Sequence, residues 1–149
     1  MAQYFFDTSA IVKYYHREAG SPAVESIFAQ ADRKVRISSL GFLEIQSAFA
    51  MKVRSRELSR DAAGIQRSRL LLDVAAGEIE IYKMTDLHFG TAQRLIGDHA
   101  FVSRLRTLDA LQLAMAIDLT EQLLLDFFVV ADAALSAVAV TVGLKVINP

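Results

Sequence analysis

The stretch Tyr4-Phe5-Phe6-Asp7-Thr8-Ser9-Ala10-Ile11-Val12-Lys13-Tyr14-Tyr15 decides the architecture. Residues 4–6 are a short apolar run that stops at the polar Asp7-Thr8-Ser9, after which Ile11, Val12, Tyr14 and Tyr15 recur at helical spacing. A change of period across one Asp reads as a strand feeding directly into a helix. The same alternation continues outward. Residues 35–38 read as a second strand, and Ser21-Pro22 between the two as a helix start, with Ser as the cap and Pro in the first turn. A long amphipathic pattern runs from Leu40 through Leu43, Ala48 and Phe49 to Val53. Ser59 then caps a helix through Ile65, Leu70, Leu71 and Val74 that Gly77 ends.

Residues 78–82 alternate acidic and apolar side chains, the period of a half-exposed strand near a sheet edge, and 85–96 return to helix. Residues 107–119 are rich in Leu, Ala and Met and read as helix, 126–130 as a fully buried strand, 133–142 as helix and 145–147 as a last strand. No repeat, low-complexity tract or linker interrupts the pattern. It predicts a single domain over 1–149, with a five-stranded, mainly parallel sheet in a three-layer α/β/α sandwich.

Composition narrows the function classes. The chain is 53% apolar and carries 16 basic against 17 acidic residues, a formal charge of -1, so nothing global marks it for nucleic acid or a membrane. It contains no Cys, which excludes disulfides, thiolate metal sites and cysteine nucleophiles and fits a reducing compartment. The charge-free run 133–144 is shorter than the ~18 residues of a membrane span, and the opening MAQYFFD has no basic region before an apolar one, unlike a signal peptide. These features predict a cytoplasmic protein.

In a parallel sheet, ligands bind at the carboxyl ends of the strands. Asp7 follows the first strand and Asp132 follows the buried strand 126–130, while Glu44 and Asp109 fall early in helices that start at the same edge. Asp7 and Asp132 also suit helix N-caps, and Asp109 suits a helix first turn, where it would complement the dipole. Glu44 is different, because Leu40, Ala48 and Met51 lie on its helix face. Asp109 likewise shares a face with Leu105, Leu113 and Ala116. A carboxylate drawn toward a core needs a cation. Arg106 stands three residues before Asp109 and could reach it, but a divalent ion meets the need better. Several carboxylates without His or Cys ligands favour Mg²⁺, or Mn²⁺, over zinc.

The segments FFDTSAIVKYY, ISSLGFLEIQSAF, LRTLDALQLAMA and FVVAD, with the ending GLKVINP, resemble the PIN-domain nucleases, and especially the VapC toxins of bacterial toxin-antitoxin pairs. The resemblance spans nearly the whole chain. It implies an α/β/α sandwich, dependence on Mg²⁺ or Mn²⁺, and hydrolysis of RNA phosphodiesters by an endoribonuclease. It also implies a homodimer and a small antitoxin whose tail covers the acidic groove. By position, Asp7, Glu44, Asp109 and Asp132 match the family's acidic cluster, with Asp7 and Asp109 as direct metal ligands. Thr8 and Ser9 match its small polar residues, which orient a carboxylate or a water; a helix cap is the equal alternative. Two departures bear on Asp132 and on phosphate contacts: Val130 stands where members often have Thr, and Ala133-Ala134 where they have a basic or polar pair.

Other constellations fail. His16, His88 and His99 are scattered, and no HExxH, GxSxG, GxGxxG or P-loop occurs, which argues against a nucleotide cofactor. A haloacid-dehalogenase-type phosphatase would need a second Asp where Ser9 stands. A receiver domain would need an acidic pair after the first strand. A catalytically inactive PIN-fold protein that only binds RNA or a partner is the remaining alternative, and retention of four mutually repelling acids counts against it. For RNA, the stretch 52–69 holds Lys52, Arg54, Arg56, Arg60, Arg67 and Arg69 against Glu57 and Asp61. Lys52, Arg54, Arg56 and Arg60 are its candidate phosphate contacts, with Lys52, Arg56 and Arg60 sharing a face if the helix is unbroken, and Arg104 and Arg106 are the next. A solvated surface is the alternative. Finally, Leu40, Phe42, Leu43, Ile45 and Phe49 go almost all round one helix, which requires burial on two sides.

Overall fold

β1 (Ala2–Phe6) is the middle strand of a five-stranded sheet in the computed structural model, which describes residues 1–149. β2 (Arg33–Ser38) and β3 (Glu80–Tyr82) lie to one side of it, β4 (Phe127–Val129) and β5 (Val146–Ile147) to the other. The order is β3-β2-β1-β4-β5, and every pair is parallel. The connections hold α1 (Thr8–Tyr15), α2 (Ser21–Phe28), α3 (Ser39–Arg54), α4 (Arg60–Ala75), α5 (Asp86–His99), α6 (Thr107–Glu121) and α7 (Ala133–Thr141). This is the expected three-layer sandwich, with β3 at an edge.

Strand alternation sorts the helices between the two faces. Tyr4 and Phe6 of β1, with Val35, Ile37 and Val129, pack against α1 to α4. Phe5, with Phe128 and Val130, packs against α5 to α7. Crossover handedness gives the same division. The path from β1 to β2 to β3 moves one way across the sheet, and the return from β3 to β4 and β5 moves the other way. Right-handed connections in both directions place their helices on opposite faces. The reversal falls between β1 and β4, whose register pairs Phe5 with Phe128 and stacks their rings 5.7 Å apart. That is the crevice where an open α/β sheet receives its ligand.

Local differences from the sequence reading have plain causes. β3 is short because only Glu80, Ile81 and Tyr82 find partners on β2, leaving Glu78 and Ile79 outside the ladder. Ser21 does not cap α2; Gly20 takes that place with φ 90°, and the Ser21 hydroxyl instead donates to the Lys13 carbonyl and accepts from Glu18 N–H. Helix α3 is covered largely by its own domain, with Ile45 and Phe49 buried and Leu40 and Phe42 half-buried, but Leu43 and Met51 remain exposed. No helix is long and apolar enough to cross a membrane.

Candidate active site

Asp7 and Asp132 sit at the carboxyl ends of β1 and β4, and both do cap the helices that follow. Asp7 Oδ2 accepts from Ser9 N–H at 3.0 Å, and Asp132 Oδ1 from Leu135 N–H at 2.9 Å. Capping occupies one oxygen of each, so it coexists with a place in a site. Ser9 ties the two strand ends together: its hydroxyl donates to Asp7 Oδ2 and accepts from the backbone N–H groups of Ala131 and Asp132, at 3.0 and 3.2 Å.

Glu44 comes from the second turn of α3 and Asp109 from the first turn of α6. Together with Thr8, Ser47, Arg54 and Arg106 they line an open cleft of about 660 Å³. Thr8 Oγ1 donates to Glu44 Oε1 at 3.0 Å. Asp7 is 6% exposed. Burial pushes its carboxyl up to about 6; the Ser9 hydrogen bonds oppose that, and the negative charges of Glu44 and Asp109 add to it. Asp7, Glu44 and Asp109 are therefore one electrostatic neighbourhood, and Ser9 ties Asp7 to the backbone of Asp132.

Two arginines from the segment between α5 and α6 supply positive charge here. Arg106 lies 3.2 Å from Asp109 and 3.9 Å from Asp132, and Arg104 lies 3.1 Å from Asp132. The hydrogen bond that Arg106 donates to Asp109 and that residue's charge, followed by the charges of Asp132 and Asp7, hold Arg106 more firmly protonated than usual. On sequence grounds the cationic role falls to a metal ion, with Arg106 within reach. In the structure both arginines take it, reaching Asp109 and Asp132 with side chains that stay largely exposed.

No three acidic or histidine side chains are grouped closely enough to hold an ion as they stand. The donor chemistry nevertheless fits a hard divalent cation, since every candidate ligand is a carboxylate oxygen. Asp7 Oδ1 and Glu44 Oε2 take no hydrogen bond within the chain. A cation among the acids would also offset the repulsion that Asp7 feels from Glu44 and Asp109. His88 stands apart, buried at the start of α5 with Nδ1 accepting from Thr85 N–H and Nε2 3.0 Å from Asp118.

The basic stretch divides. Helix α3 ends at Arg54, and Arg56 turns the chain with φ 62°, so Lys52, Arg56 and Arg60 share no face. Lys52 is buried and paired with Glu18 and Glu57 at 3.1 and 3.3 Å, which removes it from the phosphate contacts. Arg69 lies over the rings of Tyr14 and Tyr15. What remains is Arg54, Arg60 and Arg67 around a groove between α3 and α4 with Phe49, Val53 and Ala63, and Arg54 joins that groove to the acidic cleft.

Two polar residues of the site, Ser38 and Gln112, escape a reading of the sequence. Gln112, 1% exposed, donates from Nε2 to Glu44 Oε1 at 2.9 Å, and its Oε1 accepts from Ser38 Oγ at 2.8 Å. A signal is present: Gln112 is the one polar residue in the run ALQLAMA, one turn beyond Asp109.

The PIN domain family model matches residues 4–140. No curated protein sequence matches the chain. Among solved structures, the chain is similar to VapC20 of Mycobacterium tuberculosis, described as a sarcin-ricin loop cleaving toxin, with 18% identity, TM-score 0.68, and coverage of 98% of this chain and 99% of that one. It is also similar to FitAcB of Neisseria gonorrhoeae, with 16% identity, TM-score 0.68 and coverage of 98% and 97%. A third likeness is to VapBC2 of Rickettsia felis, bound to a DNA fragment from its promoter, with 15% identity, TM-score 0.63 and coverage of 98% of each chain. These likenesses show the shared fold, and the match over residues 4–140 decides the assignment: the chain belongs to the PIN domain family.

Proposed function

We propose that this protein is a Mg²⁺- or Mn²⁺-dependent endoribonuclease, and the toxin of a pair whose other member is a small antitoxin. The observation that supports the reading is the buried Asp7 at the strand-order reversal, pushed up to about 6 by burial and by the charges of Glu44 and Asp109, with Ser9 joining it to the backbone of Asp132. Asp7 and Asp109 are the principal metal-holding residues, with Glu44 and Asp132 completing the set. A bound divalent ion supplies an acidified water and neutralises charge on the phosphoryl oxygens. Ser9 and Thr8 hold Asp7 and Glu44 in orientation, and Arg54, Arg104 and Arg106 stand at the edge of the cleft where a polyanion would lie.

The partner belongs to the same reading. Leu43 and Met51, 65% and 53% exposed, lie on α3, the helix that supplies Glu44, and suit burial by a second chain, either a homodimer mate or the antitoxin. The similarity to toxin-antitoxin complexes supports it. The absence of a membrane-crossing helix is compatible with a cytoplasmic RNA substrate.

The test is cleavage of total cellular RNA by purified protein with Mg²⁺ or with EDTA, read by sequencing the new 5′ ends. Asp109→Asn and Asp7→Asn, folded as judged by circular dichroism, should lose the Mg²⁺-dependent ends. Wild-type rates in Asp109→Asn would falsify the assignment. RNA binding with no metal-dependent cleavage would instead favour a binding-only PIN protein, a reading for which the arginine pairing of Asp109 and Asp132 gives some ground.

A further inference from the structure

We infer that Gln112 and Ser38 are positioning residues: with Thr8, they fix Glu44 through a hydrogen-bond chain whose direction admits only one arrangement. The inference rests on the reading that Glu44 belongs to the metal-holding site. The chain begins at the backbone N–H of Gly41, which can only donate and lies 2.8 Å from Ser38 Oγ. The Ser38 hydroxyl has a single hydrogen, and it goes to Gln112, 2.8 Å away. A carboxylate oxygen can only accept, so the Gln112 atom 2.9 Å from Glu44 Oε1 is its NH₂, and the atom facing Ser38 is its carbonyl oxygen. The donors therefore run from Gly41 N–H to Ser38, from Ser38 to Gln112, and from Gln112 to Glu44. Thr8 Oγ1 donates to the same atom at 3.0 Å. Two donors thus saturate Oε1 and leave Oε2 as the oxygen available to a ligand.

Gly41 gives independent support. A Cβ at this position would lie 3.1 Å from Gln112 Nε2 and 3.3 Å from Ser38 Oγ, whereas Gly64, Gly90 and Gly97, also in helices, have nothing within 4 Å. Glycine is a poor helix former, and at 41 its missing side chain keeps open the space in which Ser38 and Gln112 meet. Gln112 and Ser38 are both fully enclosed. If they served only to fill the core, an apolar pair would do so without the need to satisfy buried polar atoms. The chain of donors instead ends on a carboxylate that lines the cleft.

The experiment is calorimetric titration of metal-stripped protein with Mn²⁺, without RNA, in the wild type, Gln112→Met, Thr8→Val, and the double variant. Met keeps the length of Gln112 and removes its hydrogen bonds. Loss of a side chain that orients a metal ligand weakens affinity roughly 10–100-fold. We expect about tenfold for Gln112→Met and a larger loss in the double variant, since both residues hold one oxygen. Mn²⁺ affinity within twofold of wild type in both the single and the double variant overturns the inference. If Gln112→Met does not fold, Gly41→Ala takes its place, as it crowds the Gln112 amide without deleting a polar group; unchanged affinity there also overturns it. Asp109→Asn in the same titration separates the two levels. Wild-type Mn²⁺ affinity in that variant, or no binding by the wild type, refutes the reading of the site and the inference with it. Loss of binding in Asp109→Asn with none in Gln112→Met refutes the inference alone.

Discussion

The guanidinium of Arg106 lies 3.2 Å from the carboxylate of Asp109, the residue three places further along the chain. With Arg104 on Asp132, it gives the acidic edge a cation of its own. Both arginine side chains are about two-thirds exposed, at 65% and 64%, so each pair contributes little stability. Such contacts yield readily to a better competitor. In Arg104→Ala/Arg106→Ala we expect Mn²⁺ to bind about two- to fivefold more tightly by calorimetry, because removing these weak, exposed pairs leaves the acids uncompensated. Unchanged or weaker affinity would show that the arginines do not compete with metal.

Asp7 makes stability depend on pH. Its carboxyl is raised from an ordinary value near 3.8 to about 6, so between those values the folded protein keeps a proton that the unfolded chain has lost. The stability this proton confers is complete below pH 4 and lost as pH rises through 6, a change of about 3 kcal/mol in the absence of metal. Asp7→Asn cannot ionise and keeps the cap. In EDTA, urea unfolding should show the variant more stable than wild type at pH 7.5 and the two nearly equal at pH 4. A constant difference across that range would contradict the cause given for the shift.

The basic residues should separate into binders and a structural lysine. In an Asp7→Asn background, Arg54→Ala/Arg60→Ala should weaken RNA binding for all sequences alike. It should also lower the slope of log affinity against log salt by about 0.7 for each phosphate that is no longer neutralised. Lys52→Met should leave the slope unchanged. It should destabilise the fold by roughly 1 kcal/mol, because Glu18 loses one of its two lysine partners and keeps only Lys13, at 3.6 Å. A slope that responds to Lys52 and not to the arginines would reverse the assignment.

Leu43 offers a test of the partner surface. At 65% exposure, Leu43→Glu should change the melting temperature of the isolated chain very little. It should weaken either self-association in sedimentation or binding to a cognate antitoxin. If neither changes, this part of α3 is not an interface.

Much of the architecture is legible in the sequence because the decisive signals are local. At Asp7 and Asp132 a strand period gives way to a helical one at a single acid, and the structure puts both at the carboxyl edge. Glu44 and Asp109 can be picked out because each interrupts an apolar helix face. Gln112 stays hidden: its meaning lies in a contact with Glu44, 68 residues away, and a lone Gln among Leu and Ala carries no charge to flag it. Lys52 misleads for the same reason in reverse. Counting neighbours along the chain cannot register Glu18, 34 residues earlier, which folding brings to its ammonium group.

The adjacency of β1 and β4 sets a time as well as a place. Gln3 and Asp126, whose backbone and side chain join at the start of these strands, are 123 residues apart. A chain leaving the ribosome therefore exposes Asp7 and Glu44 long before Asp109 and Asp132 exist. The acidic edge closes only when β4 slides in beside β1, after more than a hundred intervening residues have been made. Until that pairing forms, an emerging chain holds only half of the acids on which cutting RNA would depend.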